Sequence, residues 1–90
     1  MNGPLSQTER RIIKADIYPN PAEGKHLKVS LSQQGRTELI LTDLMGNIVR
    51  RKELDRKQEA QLPVEDLSRG TYLLKVSQNG STFTQKVILK

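Results

Sequence analysis

The residue types that could do chemistry in this chain are few, and their spacing argues against catalysis. His26 is the only histidine, and there is no cysteine. A lone imidazole beside Lys25 and Lys28, on the polar phase of an alternating stretch, reads as a solvent-facing side chain and not as a general base. One histidine without cysteine also excludes the familiar zinc ligand sets, and thiol catalysis goes with them. The carboxylates Asp43, Glu53, Asp55, Glu65 and Asp66 fall in turns or beside basic residues, with no DxDxDG-type spacing for calcium. Gly46, Gly70 and Gly80 stand apart from one another, so no glycine-rich loop cradles a phosphate. Asp43 is expected to cap backbone amides around Leu44 and Gly46, and Asp66 to do the same ahead of Gly70. The chain reads as no enzyme, with no metal and no cofactor.

The elements that hold these residues have to be small. Ninety residues make one domain with one core, about two layers thick. Hydrophobic residues are 34% and aromatics 3% of the chain, so Leu, Ile and Val must do most of the packing. Tyr18, Tyr72 and Phe83 all fall on apolar phases and are expected in the core. That expectation speaks against single-strand nucleic-acid binding, which needs exposed stacking platforms, and equally against a carbohydrate-binding module. The net charge of +5 comes from scattered lysines and arginines at polar-phase positions and turns, a solvated surface with no nucleic-acid partner implied. No apolar run approaches the length needed to span a bilayer, so direct membrane insertion is not expected. Residues 1–11 carry no apolar segment of a signal peptide. They read as a flexible linker or an appended tail, ahead of a domain over 12–90, and any export signal is expected further upstream.

From residue 12 onward, short strands alternate with turns every eight to twelve residues, the all-β pattern. Strands are expected over 13–18, 26–31, 37–43, 47–54, 60–64, 70–77 and 81–90. Pro19 and Pro21 end the first sharply. Leu27, Val29 and Leu31 alternate with Lys28 and Ser30, a half-buried strand. Gly46 can take the positive φ of a tight hairpin turn. Pro63 confines its segment to a sheet edge. Asn79-Gly80 is the strongest short-range hairpin signal. About seven antiparallel strands of these lengths suggest an immunoglobulin-like β-sandwich, without the Cys and Trp pair of antibody domains. Its edge strands offer a route to a weak homodimer.

Four signatures occur in order: Tyr18-Pro19-Asn20-Pro21; then an apolar-x-Asp-x-x-Gly-x-x-Val hairpin over residues 41–49; then Leu67-Ser68-Arg69-Gly70-Thr71-Tyr72; and finally Lys86-Val87-Ile88-Leu89-Lys90. Together they resemble the C-terminal sorting domain of substrates of the type IX (Por) secretion system of Bacteroidetes. The resemblance spans residues 17–90. It implies a non-catalytic address on a larger cargo protein, passing through the periplasm to an outer-membrane translocon. A sortase-like surface protease then typically removes the domain, here by cleavage expected within residues 1–14, and the cargo ends at the cell surface or secreted. On this reading Gly70, Tyr72, Lys86, Val87, Ile88, Leu89 and Lys90 are the expected recognition residues. Tyr18, Pro19, Asn20, Pro21, Asp43, Gly46, Asn79 and Gly80 are expected to set turns. Gly70 and Tyr72 also have purely structural explanations, as a positive-φ position and a core ring. The alternative is an immunoglobulin- or fibronectin-like spacer or adhesion module of a surface protein, since fold does not fix function.

Overall fold

The computed structural model describes residues 15–19 and 24–90. It has seven strands: β1 (Ala15–Tyr18), β2 (His26–Leu31), β3 (Thr37–Asp43), β4 (Ile48–Leu54), β5 (Glu59–Pro63), β6 (Gly70–Gln78) and β7 (Ser81–Leu89). They form two antiparallel sheets, one ordered β1-β2-β5 and the other β4-β3-β6-β7. This is the expected all-β, immunoglobulin-like sandwich. The bounds agree with the sequence reading to within one or two residues, and the expected start of the first strand at residues 13 and 14 lies outside the described residues.

The core is built from one face of each sheet. Leu27, Val29 and Leu31 of β2 meet Leu39 and Leu41 of β3 and Leu74 and Val76 of β6, all buried. Strand parity decides membership, because successive side chains point to opposite faces. Parity also corrects one expectation. Ala15 and Ile17 are buried, so their neighbour Tyr18 faces outward and is 42% exposed. Tyr72 is buried as expected, and Phe83 packs partly buried against the core.

Local chemistry sets the turns. Asn79 and Gly80 both take positive φ, 51° and 82°, the combination that a two-residue hairpin joining twisted strands demands. Pro63 lies on β5, an outer strand of its sheet among the described residues, where its missing N–H removes no ladder bond. Between β3 and β4 the register shifts by one residue, from Leu41↔Arg50 to Thr42↔Ile48. The extra residue, Val49, makes a bulge that bends and twists β4.

A buried polar cluster holds the β2–β3 turn to the end of β6. Gln78 Nε2 donates to Gln33 O at 3.1 Å and to Thr37 Oγ1 at 2.9 Å, and Thr37 Oγ1 donates to Gly35 O at 3.1 Å. Gln78 and Thr37 are almost fully buried, and these bonds offset the desolvation of the Gln78 amide nitrogen and the Thr37 hydroxyl. Gln78 Oε1 is buried without a hydrogen-bond partner among the described residues. Nothing in the sequence pattern marked either residue as internal.

Candidate functional site

The register gathers the sequence signatures at one end of the sandwich. Asp43 pairs with Tyr72, and Tyr72 pairs with Val87, which places the β3–β4 turn, the loop before β6 and the end of β7 side by side. Gly70↔Leu89, Thr71↔Ile88 and Leu73↔Lys86 complete the junction between β6 and the terminal strand. β1 runs toward the same end, since Tyr18 pairs with Lys28 while Ala15 pairs with Leu31. The Tyr18–Pro19 peptide bond is cis; Asn20 and Pro21 lie outside the described residues. The Asn79-Gly80 turn sits at the opposite end, where Gln78 pairs with Ser81. Of the expected motif residues that the structure describes, it alone stands apart from the rest.

Asp43 builds its turn by accepting hydrogen bonds. Oδ1 accepts from the amides of Met45 and Asn47, both at 2.9 Å, and Oδ2 accepts from Asn47 Nδ2 at 3.0 Å. The Gly46 amide donates to Asp43 O at 3.1 Å. Gly46 takes φ +90° with open space where a Cβ would sit, so backbone conformation and not crowding selects glycine there. These bonds, the Asn47 side chain first, hold the Asp43 carboxyl below the ordinary aspartate range. The turn therefore displays its corners: Leu44 is 66%, Met45 88% and Ile48 51% exposed. Three large apolar side chains on one hairpin tip form an unusual concentration of exposed hydrophobic surface.

The loop before β6 is fastened by Tyr72, whose hydroxyl donates to Ser68 O at 2.5 Å. Gly70 opens the strand at φ +148°, a conformation that side chains rarely adopt. Both residues thus have structural work at this end. In the terminal strand, Val87 and Leu89 are core residues, whereas Lys86 and Lys90 are exposed and Ile88 is half-buried. Of the last five residues, only Lys86, Ile88 and Lys90 present side chains outward.

Asp66 does not play the expected part. Its chief partner is Arg50, whose Nη2 donates to the Asp66 carboxylate, and that bond is the main reason its carboxyl is held below the ordinary range. Arg50 also donates through Nε to Pro63 O at 2.8 Å and through Nη1 to Val49 O at 2.6 Å. One strand position further, Lys52 Nζ donates to Gln61 O at 3.2 Å. These two β4 side chains therefore cap outward carbonyls of β5 and join the edges of the two sheets. The caps oppose addition of a further strand at β5, which bears on any edge-to-edge dimer. In the sequence, only a run of basic residues at 50–52 marks these contacts.

Among the described residues no group of three His, Cys, Asp or Glu is placed to hold a metal ion, and no helix is long and apolar enough to cross a membrane. The fold is an all-β sandwich with its sequence signatures collected at one pole, an arrangement suited to being recognised as a unit. The family model of the secretion system C-terminal sorting domain matches residues 16–90, and the chain belongs to that family, the sorting domains of type IX secretion. Compared with the curated proteins, the chain matches none. The domain is a sorting signal that commits an attached cargo protein to the type IX machinery, for export to the cell surface or secretion. Its family is one of signals, in general not of catalysts.

Proposed function

We propose that the outer-membrane translocon of the type IX system reads this pole after the precursor has crossed the periplasm. A sortase-like surface protease then cuts the cargo free within residues 1–14, at or beside the linker formed by residues 1–11. A signal peptide upstream of the cargo would deliver the precursor to the periplasm. The observation that carries the reading is the rung Asp43–Tyr72–Val87, which brings three separate signatures onto neighbouring strands. The surface it creates combines the exposed apolar tip Leu44 and Met45 with the exposed ammonium groups of Lys86 and Lys90. The Asp43-bonded turn and the paired strand β7 hold Leu44, Met45 and Lys86 in place, which limits the ordering entropy lost on docking.

Deleting residues 86–90 would be an ambiguous test, because it removes the core residues Val87 and Leu89. The cleaner experiment fuses the chain to a periplasmically folding reporter and substitutes outward residues only: Leu44→Ser with Met45→Ser in one variant, Lys86→Glu with Lys90→Glu in another. Both variants should melt like the parent while exported reporter falls by about tenfold, the scale of losing one or two anchors from an interface. Undiminished export by both would refute the assignment of recognition to this pole.

A further inference from the structure

Beside that pole, and sharing with it only the signature residue Tyr18, a groove of about 400 Å³ opens on the outer face of the three-stranded sheet beside β4. Its platform is a single cross-strand rung: Tyr18 pairs with Lys28, and Lys28 with Gln61. All three side chains face outward. Neighbouring strands lie about 4.8 Å apart, so the rung sets a phenol, an ammonium and an amide in a row about 10 Å wide. Lys52 reaches in from β4, Lys57 stands on the connection between β4 and β5, and Glu59 borders the row. Val29, Leu54 and Ala60 also border the groove, but their side chains are buried in the core, so the floor between the outward side chains is largely backbone.

We infer that this groove binds a phosphorylated sugar or cyclic polyol. The charge fits: three ammonium groups and one carboxylate line the groove, leaving a surplus of two positive charges for a phosphate monoester that carries nearly two negative ones. Among the described residues neither Lys28 nor Lys57 enters an ion pair, with the nearby Glu59 or with any other carboxylate. The exposed ring of Tyr18 is a surface for the apolar face of a sugar ring. Gln61 and Glu59 supply a donor and acceptors for hydroxyl groups. The volume lies within the usual range for small-ligand sites. The buried tyrosine that the sequence suggested would have left no such platform.

The test is a titration of the isotope-labelled 90-residue chain, followed by backbone amide shifts, with glucose 6-phosphate, glucose and inorganic phosphate as separate probes. Glucose 6-phosphate should give saturable shifts centred on Tyr18, Lys28 and Gln61, with a dissociation constant on the order of 1 mM for so open a groove. Inorganic phosphate should bind more weakly, and glucose should not saturate. The surface variant Lys28→Gln with Lys57→Gln should weaken glucose 6-phosphate by about tenfold, the combined worth of two solvent-exposed charge contacts. Shifts centred elsewhere, binding undiminished in that variant, or inorganic phosphate binding as tightly as the sugar phosphate would each overturn the inference. The readout is independent of export, so its failure leaves the role of the pole untouched.

Discussion

Arg50 offers the sharpest test of how the two sheets are held together. Replacing it with alanine removes the Nε bond to Pro63 O and the Nη1 bond to Val49 O. The carbonyls freed are near the surface and regain water, so each loss is valued at about 1 kcal/mol, not the full penalty of a buried orphan. The partner carboxylate of Asp66 is exposed, and its ion pair is left out of the sum because solvent and salt screen it. The expected destabilisation is about 2 kcal/mol, which in a domain of this size lowers the melting midpoint by about 8–16 °C. Arg50→Lys should recover about half of that, since a single ammonium can reach one carbonyl but lacks the planar fork that serves both. The assay is thermal unfolding followed by circular dichroism at low salt and again at about 1 M salt, where the Debye length falls to about 3 Å. If the carbonyl bonds dominate, the difference between parent and Arg50→Ala survives the added salt. A variant melting within about 2 °C of the parent, or a difference abolished by salt, would show that the guanidinium does not bridge the sheet edges as argued.

Two further outcomes follow from the same pole. Tyr72→Phe keeps the buried ring but deletes the hydroxyl bond to Ser68 O, and should lower the melting midpoint by about 4–8 °C for about 1 kcal/mol lost; an unchanged melt would mean the loop before β6 is held by other means. The carboxyls of Asp43 and Asp66 are both held below the ordinary aspartate range by hydrogen bonds in the folded chain. Their contribution to stability is therefore complete above the unfolded-state value and is lost as pH falls through the lower, folded one. Urea midpoints measured on descending pH should decline in that acid window, and Asp43→Asn should flatten the decline; equal slopes for parent and variant would contradict the Asp43 account.

What the sequence made legible was local. The alternation of Leu27, Val29 and Leu31 announced β2 and its buried face, and Asn79-Gly80 and Asp43 with Gly46 announced two hairpins through turn chemistry that depends on a few adjacent residues. Pro63 announced an edge because a ring nitrogen has nothing to donate. The outward turn of Tyr18 has a local cause too: Ile17 and Tyr18 are adjacent, only one can face inward, and burial of Ala15 settles which. The roles of Arg50, Thr37 and Gln78 were illegible for a different reason. Their partners lie 13, 41 and 45 residues away, and no short-range pattern encodes which strand crosses to which sheet. The gathering of the motifs at one pole is of the same kind, since it follows from the pairings of β3, β6 and β7 and not from any one of those strands.

The direction of β1 has a practical corollary. The polypeptide enters that strand at Ala15, opposite Leu31, at the end where the Asn79-Gly80 hairpin closes and away from the apolar corners of Leu44 and Met45. On the proposed reading, a cargo preceding Ala15 is joined at the end of the module opposite the recognition pole.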